Sequence, residues 1–517
     1  MNGQASKREA SLEQSRGLLN GASSPASDFG DDNSGTYQKL SHLGRVGHLQ
    51  GLIESTRSLS LSFVIGRILW FLVPSFLQGR QVRSQLFPAK LGPTAYLDGV
   101  RGVACLMVFN QHYFSTAYDT RQVWGCQGGN YNIMRLPIVR VAYGGNEAVA
   151  MFFIISGYAL SYRCLKLARS RNIEGFSTSL GSLVFRRAMR LFIPVAVSMF
   201  IIMWFVHLNM FEWARAAVKN PTYFRLGSPP PPPLGSLSAQ LLDLGTVLLN
   251  AIQVFDWPRF TGVSHYNLHL WTIPVEFRCS LYLFVVLMGT AHLRPKARML
   301  VLSFIIWFTY MAVRWDFLMF LVGMALVEWD LYRGAHTSSP ALPLAEKGKA
   351  GSHKTLKIFF WNSIIILALY FLSQPNFFPH DTPGWDYLTT IIPERWYEFR
   401  ARYWQNIGAV LFMFALGHSE HWQRFFTSDI IQYLGKISYA LYLVHGTVIL
   451  LVSLRLDMMM LDITGVDGYR YHVGFLLGSF FSIPLVFWCA DVFWRAVDIP
   501  SVKFARWFEG KLGFGKA

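Results

Sequence analysis

Residues 96–113 read YLDGVRGVACLMVFNQHY, an apolar run that carries Asp98, Arg101 and His112 inside it. A charge at the centre of a bilayer costs roughly 2.5–3.5 kcal/mol on insertion scales, so such groups normally face the protein interior and have a task there. Arg101 and His112 are eleven residues apart. At about 100° per residue that is three turns plus roughly 20°, which puts both on one helix face about 16 Å apart along the axis. Asp98 lies one turn before Arg101 and is placed to pair with it.

The rest of the chain has the same character. Of 517 residues, 52% are hydrophobic and only 15% charged, against about 25% charged in an ordinary soluble domain. A bilayer core needs roughly 20 apolar residues in a helix, with about 17 to 25 tolerated. Spans are expected near 97–117, 147–163, 191–210, 270–291, 300–313, 315–330, 358–374, 404–418, 437–455 and 473–495. The fold class expected is therefore all-α: a polytopic transmembrane helix bundle of about ten spans. Residues 58–77 are also apolar but interrupted by Arg67, and 58–94 are read as an interfacial helix or extra span plus a linker. The stretch 241–256 is read as a re-entrant or lumenal helix.

Loop charge orients the bundle. Arg163, Lys166, Arg169, Arg171, Arg186, Arg187 and Arg190 follow the second span; Arg294, Lys296 and Arg298 occupy 292–299; Arg333, Lys347, Lys349, Lys354 and Lys357 occupy 331–357. In a ten-span chain these fall on one side, together with the basic 498–517 tail, and the positive-inside rule makes that side the cytoplasm. The opposite segment 456–472 carries Asp457, Asp462 and Asp467. Residues 1–57 are polar, rich in Ser and Gly and without an early apolar core, and are read as a disordered cytoplasmic tail with no signal peptide. Residues 95–497 form the membrane domain. The segment 211–269, with its proline run 229–233, is read as a long lumenal connection, the prolines forming a stiff spacer.

The net charge of +17 is the Lys/Arg excess of membrane-protein loops; the basic residues sit between apolar spans and form no single patch, which excludes nucleic acid as a partner. The five cysteines form no CxxC pair, so neither a zinc ribbon nor a thioredoxin-like motif is indicated. His265 and His269 flank the span that holds Glu276, but no third ligand stands at metal spacing, and no metal is expected. His445 is read as a capping residue at the end of its span.

Arginine offers a fork that matches phosphate, and a neutral imidazole accepts a proton near working pH. Arg101 near the cytoplasmic mouth and His112 deeper in suit transfer from a bulky anionic donor to a hydroxyl. Glu276 beside Arg278 is either one half of a local ion pair or a group that orients acceptor or base. Arg187 and Arg190, one turn apart at a helix start, are topology signals or contacts for donor phosphates.

The run YLDGVRGVACLMVFNQHYF resembles the opening motif of the acyltransferase-3 family of integral-membrane acyltransferases, with its Arg, ten residues and His. AMFFIISGYALS (150–161), FRRAMRLFIP (185–194), LWTIPVEFRCSLYLF (270–284) and GKISYALYLVH (435–445) resemble further family segments in the same order. The resemblance runs from about 95 to 497, and the Glu276 segment is nearest to fungal-type members. It implies a membrane-embedded O-acyltransferase that moves an acyl group, characteristically acetyl, from acyl-CoA to a hydroxyl of a small metabolite, lipid or carbohydrate. The carry-over makes His112 the catalytic base, Arg101 its partner at the donor site, and Glu276 a further buried polar position; Arg101, Arg187 and Arg190 would hold the CoA phosphates. An endomembrane (ER) location with both termini cytoplasmic and a place in secondary metabolism are expected. The competing class is a multi-pass transporter using Asp98, Arg101, His112 and Glu276 as a substrate or proton path; the lack of a clear internal repeat weighs against it.

Overall fold

The computed structural model describes residues 61–79, 86, 91–126, 131–227, 229–255, 264–335 and 350–513. The expected disordered tail at 1–57 lies outside them, as do Lys347, Lys349 and the end of the basic tail. Among the described residues there is no strand. The chain is an all-α bundle, and each of the ten expected spans coincides with helix.

The principal helices are α1 (Leu61–Leu72), α2 (Ala95–Ala117), α3 (Gly145–Arg169), α4 (Ile173–His207), α5 (Leu237–Ile252), α6 (Thr272–Thr290), α7 (Pro295–Met311), α8 (Trp315–Tyr332), α9 (Ala350–Leu372), α10 (Arg400–His418), α11 (Asp429–Val448), α12 (Leu454–Thr464), α13 (Gly468–Phe493) and α14 (Ile499–Lys511). Six continuous helical stretches are long and apolar enough to cross a membrane by length and composition. They are α3, α4, α6 with its preceding turn, residues 355–372 of α9, the run α11–α12, and the run α13–α14. The remaining four expected spans are α2, α7, α8 and α10. Of these, α2 carries Asp98 and Arg101, α8 carries the buried acids Asp316, Glu328 and Asp330, and α7 is short, at 17 residues.

Three elements differ from the expectation. Helix α4 begins at Ile173, where Asn172 caps it by accepting from the Gly175 amide at 2.8 Å; Arg187 and Arg190 therefore lie well inside a 35-residue helix rather than at its start. Helix α11 does not end at His445. It runs to Val448, passes through a π turn (Ile449–Ser453) and continues as α12 to Thr464. Asp457 accordingly belongs to a helix, not to an acidic loop: it is fully buried and accepts from the Tyr113 hydroxyl at 2.8 Å.

Two apolar segments whose depth was open are short helices. At 16 residues α5 falls below the spanning length; Ser236 caps it, Leu242 and Leu249 face outward, and Gln240 and Leu244 are buried. At 12 residues α1 is shorter still, with Ile68, Leu69 and Trp70 exposed. Its free carbonyls are closed by the far end of the chain: Trp488 Nε1 donates to Leu72 O at 2.6 Å, and Arg495 donates to Phe71 O at 2.6 Å and Val73 O at 3.1 Å.

Little hydrophobic drive separates helix from lipid, so close backbone approach decides which helices pair. Helices α2 and α11 run side by side in the same direction. A Cβ added at Gly102 would lie 2.5 Å from Gly435 N, and one added at Gly435 would lie 2.5 Å from Asp98 O. Helices α3 and α8 cross in the same manner: a Cβ at Gly157 would lie 2.1 Å from Phe320 O, and one at Gly323 would lie 2.3 Å from Ile154 O. The end of the bundle that carries the Arg101 end of α2 also holds a buried basic–acidic layer. Glu328 receives Arg298 and Arg169, the latter at 2.5 Å, and Asp330 receives Arg333 at 2.7 Å and the Tyr158 hydroxyl at 2.8 Å. Hereafter this is the basic end.

Gly157→Leu should prevent the α3–α8 contact, because backbone rather than a movable side chain stands in the way. The expected result is loss of the monodisperse peak in detergent gel filtration. A well-behaved variant with wild-type thermal stability would show that these helices do not meet as described.

Candidate active site

Helix α2 places the three groups singled out in its sequence. Asp98 and Arg101 pair at 2.9 Å, as the one-turn spacing implies. Arg101 also donates to Gly435 O at 2.8 Å and Ser438 Oγ at 3.1 Å on α11. Its guanidinium is thus pinned by two helices while it lines a cavity of about 220 Å³. Arg163, Arg187, Arg190 and Lys436 line that cavity with Arg101, and Glu276 and Asp498 are its acids.

Glu276 is not the partner of Arg278. Its carboxylate accepts from Arg187 Nη2 at 2.6 Å and from Ser156 Oγ at 2.8 Å, and Arg187 Nε donates to Ser280 Oγ at 3.0 Å. Arg278 faces the other way, toward Asp316, which Arg314 also engages. Residues two apart on a helix do not share a face, so of the two alternatives the local ion pair with Arg278 is not what forms. Arg187 keeps one side of its fork for the cavity, and its charge is already partly neutralised.

His112 departs further from the expectation. The helix-face estimate put Arg101 and His112 along one cavity. The structure places His112 in a second, smaller cavity of about 50 Å³, with His265, His269 and Pro229 and Pro231 of the long connection. Tyr442 and Thr272 connect the two. Tyr442 lines the first cavity; its hydroxyl donates to the His269 carbonyl, and Thr272 Oγ1 therefore donates to Tyr442, at 2.6 Å. The ring of His269 lines the second cavity. Spacing on one helix cannot reveal this partition, because Tyr442 comes from α11 and Thr272 from the start of α6.

Around His112 the structure gathers two imidazoles that sequence reasoning left apart. The His112 and His269 ring centroids are 3.7 Å apart, His269 and His445 5.0 Å, and His112 and His445 5.4 Å. His445 Nδ1 donates to Leu441 O at 3.0 Å, one turn back on its own helix, and its buried Nε2 has no partner. The capping role expected for His445 is not what the structure contains, since the helix continues past it. His269 was noticed only as a flank of the Glu276 span. No sequence signal connects the three; in the structure the π turn that follows His445 is a feature that gathers at functional sites. Among the described residues, these three histidines are the one group of His, Cys, Asp and Glu side chains close enough to hold a metal ion.

A basic cavity and an imidazole-lined cavity thus lie side by side in one apolar helix bundle. The chain belongs to the acyltransferase-3 family, whose acyltransferase-domain model matches residues 94–495. It is 30% identical over 469 residues to "O-acetyltransferase PaAT-1" of Phomopsis amygdali, covering 86% of this chain and 89% of that protein. It is 25% identical to "Acyltransferase R4" of Phoma sp. (80% and 96% covered) and 25% identical to "Acyltransferase clz18" of Cochliobolus lunatus (79% and 94% covered). No solved structure matches. The protein is therefore a membrane acyltransferase, and the transporter class is set aside.

The Glu276–Arg187 pair joins α6 to α4 across the first cavity. Glu276→Gln and Arg187→Gln should each lower the apparent unfolding temperature in detergent, and the double variant should lose less than the sum, because interacting groups are non-additive. Strict additivity would mean that the pair does not form.

Proposed function

We propose that the protein transfers an acyl group, acetyl in the first instance, from acyl-CoA to the hydroxyl of a small metabolite, lipid or carbohydrate. The observation that carries this reading is the meeting of the two cavities at the Tyr442–Thr272 layer. The first offers Arg101, Arg163, Arg187, Arg190 and Lys436 at one mouth, a cation density suited to the phosphates of CoA, where arginine forks give paired hydrogen bonds. With the phosphates at that mouth, the thioester reaches toward Tyr442. The acceptor occupies the second cavity, where His112 activates its hydroxyl for attack on the thioester carbonyl. Tyr442 and Thr272 shift to admit the reacting atoms, and Glu276 holds Arg187 in place to receive the donor.

Acetyl is favoured because the relative from Phomopsis amygdali bears the name of an O-acetyltransferase. The fungal source of all three relatives supports a small-metabolite acceptor. The basic end faces the cytoplasm by the positive-inside rule, which places acyl-CoA on the side where it is made and both chain ends on that same side, in an endomembrane such as the ER. Residues 1–57 then form a polar cytoplasmic tail, residues 95–497 the catalytic membrane domain, and the basic segment after 497 a cytoplasmic terminus.

The test is purified protein with labelled acetyl-CoA and a panel of alcohols, without any membrane gradient. His112→Ala should lower turnover by about 10²–10⁴-fold, the range for losing one positioned acid–base group, while gel filtration stays normal. Arg190→Ala should raise KM for acyl-CoA about tenfold with kcat nearly unchanged, as expected when uniform binding is lost. Full activity in His112→Ala would end the proposal.

A further inference from the structure

The reading above needs one imidazole in the second cavity, and the structure provides three that converge. We propose that His112, His269 and His445 form the seat of a single divalent metal ion of the zinc class.

The available ring nitrogens of the three residues all lie within 4.8 Å of one another. A tetrahedral ion with bonds of about 2.0–2.1 Å asks for nitrogens about 3.3 Å apart, a gap that small ring rotations close. His445 is already set for the task. With Nδ1–H given to Leu441 O at 3.0 Å, its tautomer is fixed and the Nε2 lone pair is left over, buried and without a donor. A backbone carbonyl that orients a histidine in this way is the ordinary outer partner of a metal-bound imidazole. A buried acceptor with nothing to satisfy it is rare and calls for an explanation. His269 is steered from two sides. Its carbonyl receives the Tyr442 hydroxyl, and its ring passes over Gly446, where an added Cβ would stand 2.8 Å from Cδ2.

The donor set also speaks to the kind of ion. Three neutral imidazoles suit zinc and its transition-metal neighbours and do not suit magnesium or calcium, which take oxygen. Three protein ligands and an open fourth position are the pattern of a catalytic rather than a structural zinc site. Here the fourth position faces the second cavity, which both His112 and His269 line.

The seat stands on geometry alone; what the ion does there rests on the acyltransferase reading. The acceptor oxygen takes the fourth position, and coordination acidifies its O–H. The O–H bond breaks and its proton passes to His265, which lines the same cavity; its Nε2–H points to Asp243 Oδ2 at 2.7 Å, leaving Nδ1 to accept. The oxygen forms its bond to the acyl carbon, the C–S bond breaks with its electrons on sulfur, the CoA thiolate takes a proton from water, and His265 gives its proton to the hydroxide left behind. His112 still activates the acceptor hydroxyl, now through the ion it helps to hold.

The experiment uses the full chain with a histidine-free tag, purified in detergent without chelators, incubated with Zn²⁺ or Co²⁺, desalted and assayed for bound metal. One ion per chain is expected, with the visible absorption of four-coordinate Co²⁺. His269→Gln should lower metal affinity tenfold or more and abolish that absorption. His380→Ala, at an exposed loop histidine paired with Asp386, should change neither. Wild-type protein that retains below about 0.1 ion per chain after loading overturns the proposal, as does undiminished binding in the His112→Ala, His269→Gln, His445→Ala triple variant. The wild-type loading and spectrum decide the matter should a variant not fold. Equal acyl transfer by metal-free and loaded protein would defeat the metal and leave the acyltransferase reading standing; a stoichiometric ion with no transfer from any acyl-CoA would do the reverse.

Discussion

Close contact between α2 and α11 is the constraint on which the site depends. Gly102 and Gly435 bring the two backbones together where any larger residue would meet main chain. Arg101 then locks the register by bonding Gly435 O and Ser438 Oγ. Because the helices run in the same direction, fixing them at Arg101 and Ser438 also fixes them further along, where His112 faces His445. An error of one residue in that register would rotate His112 by about 100° and take it out of the cluster. The ion pair with Asp98 is the smaller part of what Arg101 does; the larger part is to hold two helices at one setting.

The remaining helices complete what that pair begins. Helix α6 delivers Glu276 to Arg187 of α4, so the first cavity is closed by a charge pair rather than by bulk. The turn before α6 brings His269 over Gly446 of α11. The long connection, which composition marks as a proline-stiffened link, contributes Pro229, Pro231 and His265 to the wall of the second cavity. Helix α12, reached only through the π turn, buries Asp457 against Tyr113, the residue after His112. Each of these supports reaches the site from a different part of the chain.

Much of this was legible in the residues. The ten apolar runs each fall on helix, six of them in stretches long and apolar enough to cross a membrane, and an 11-residue interval marked Arg101 and His112. Charge asymmetry of the loops identified the end at which Arg163, Arg187 and Arg190 gather. What could not be read has physical causes. Helix continuity through α11 and α12 was hidden because Asp457 and Asp462 look like loop acids; their partners, the hydroxyls of Tyr113 and Tyr223, lie far away in sequence. The partner of Glu276 was missed because the nearest arginine in sequence points to another face. The three histidines come from three separate segments, and no spacing rule connects them.

The Tyr442–Thr272 layer has one more consequence. Tyr442 lines the first cavity, and its hydroxyl holds the carbonyl of His269, whose ring lines the second. The same side chain therefore belongs to the wall of one cavity and to the support of the other. Any movement of Tyr442 that widens the first cavity pulls on the backbone that carries His269 into the second.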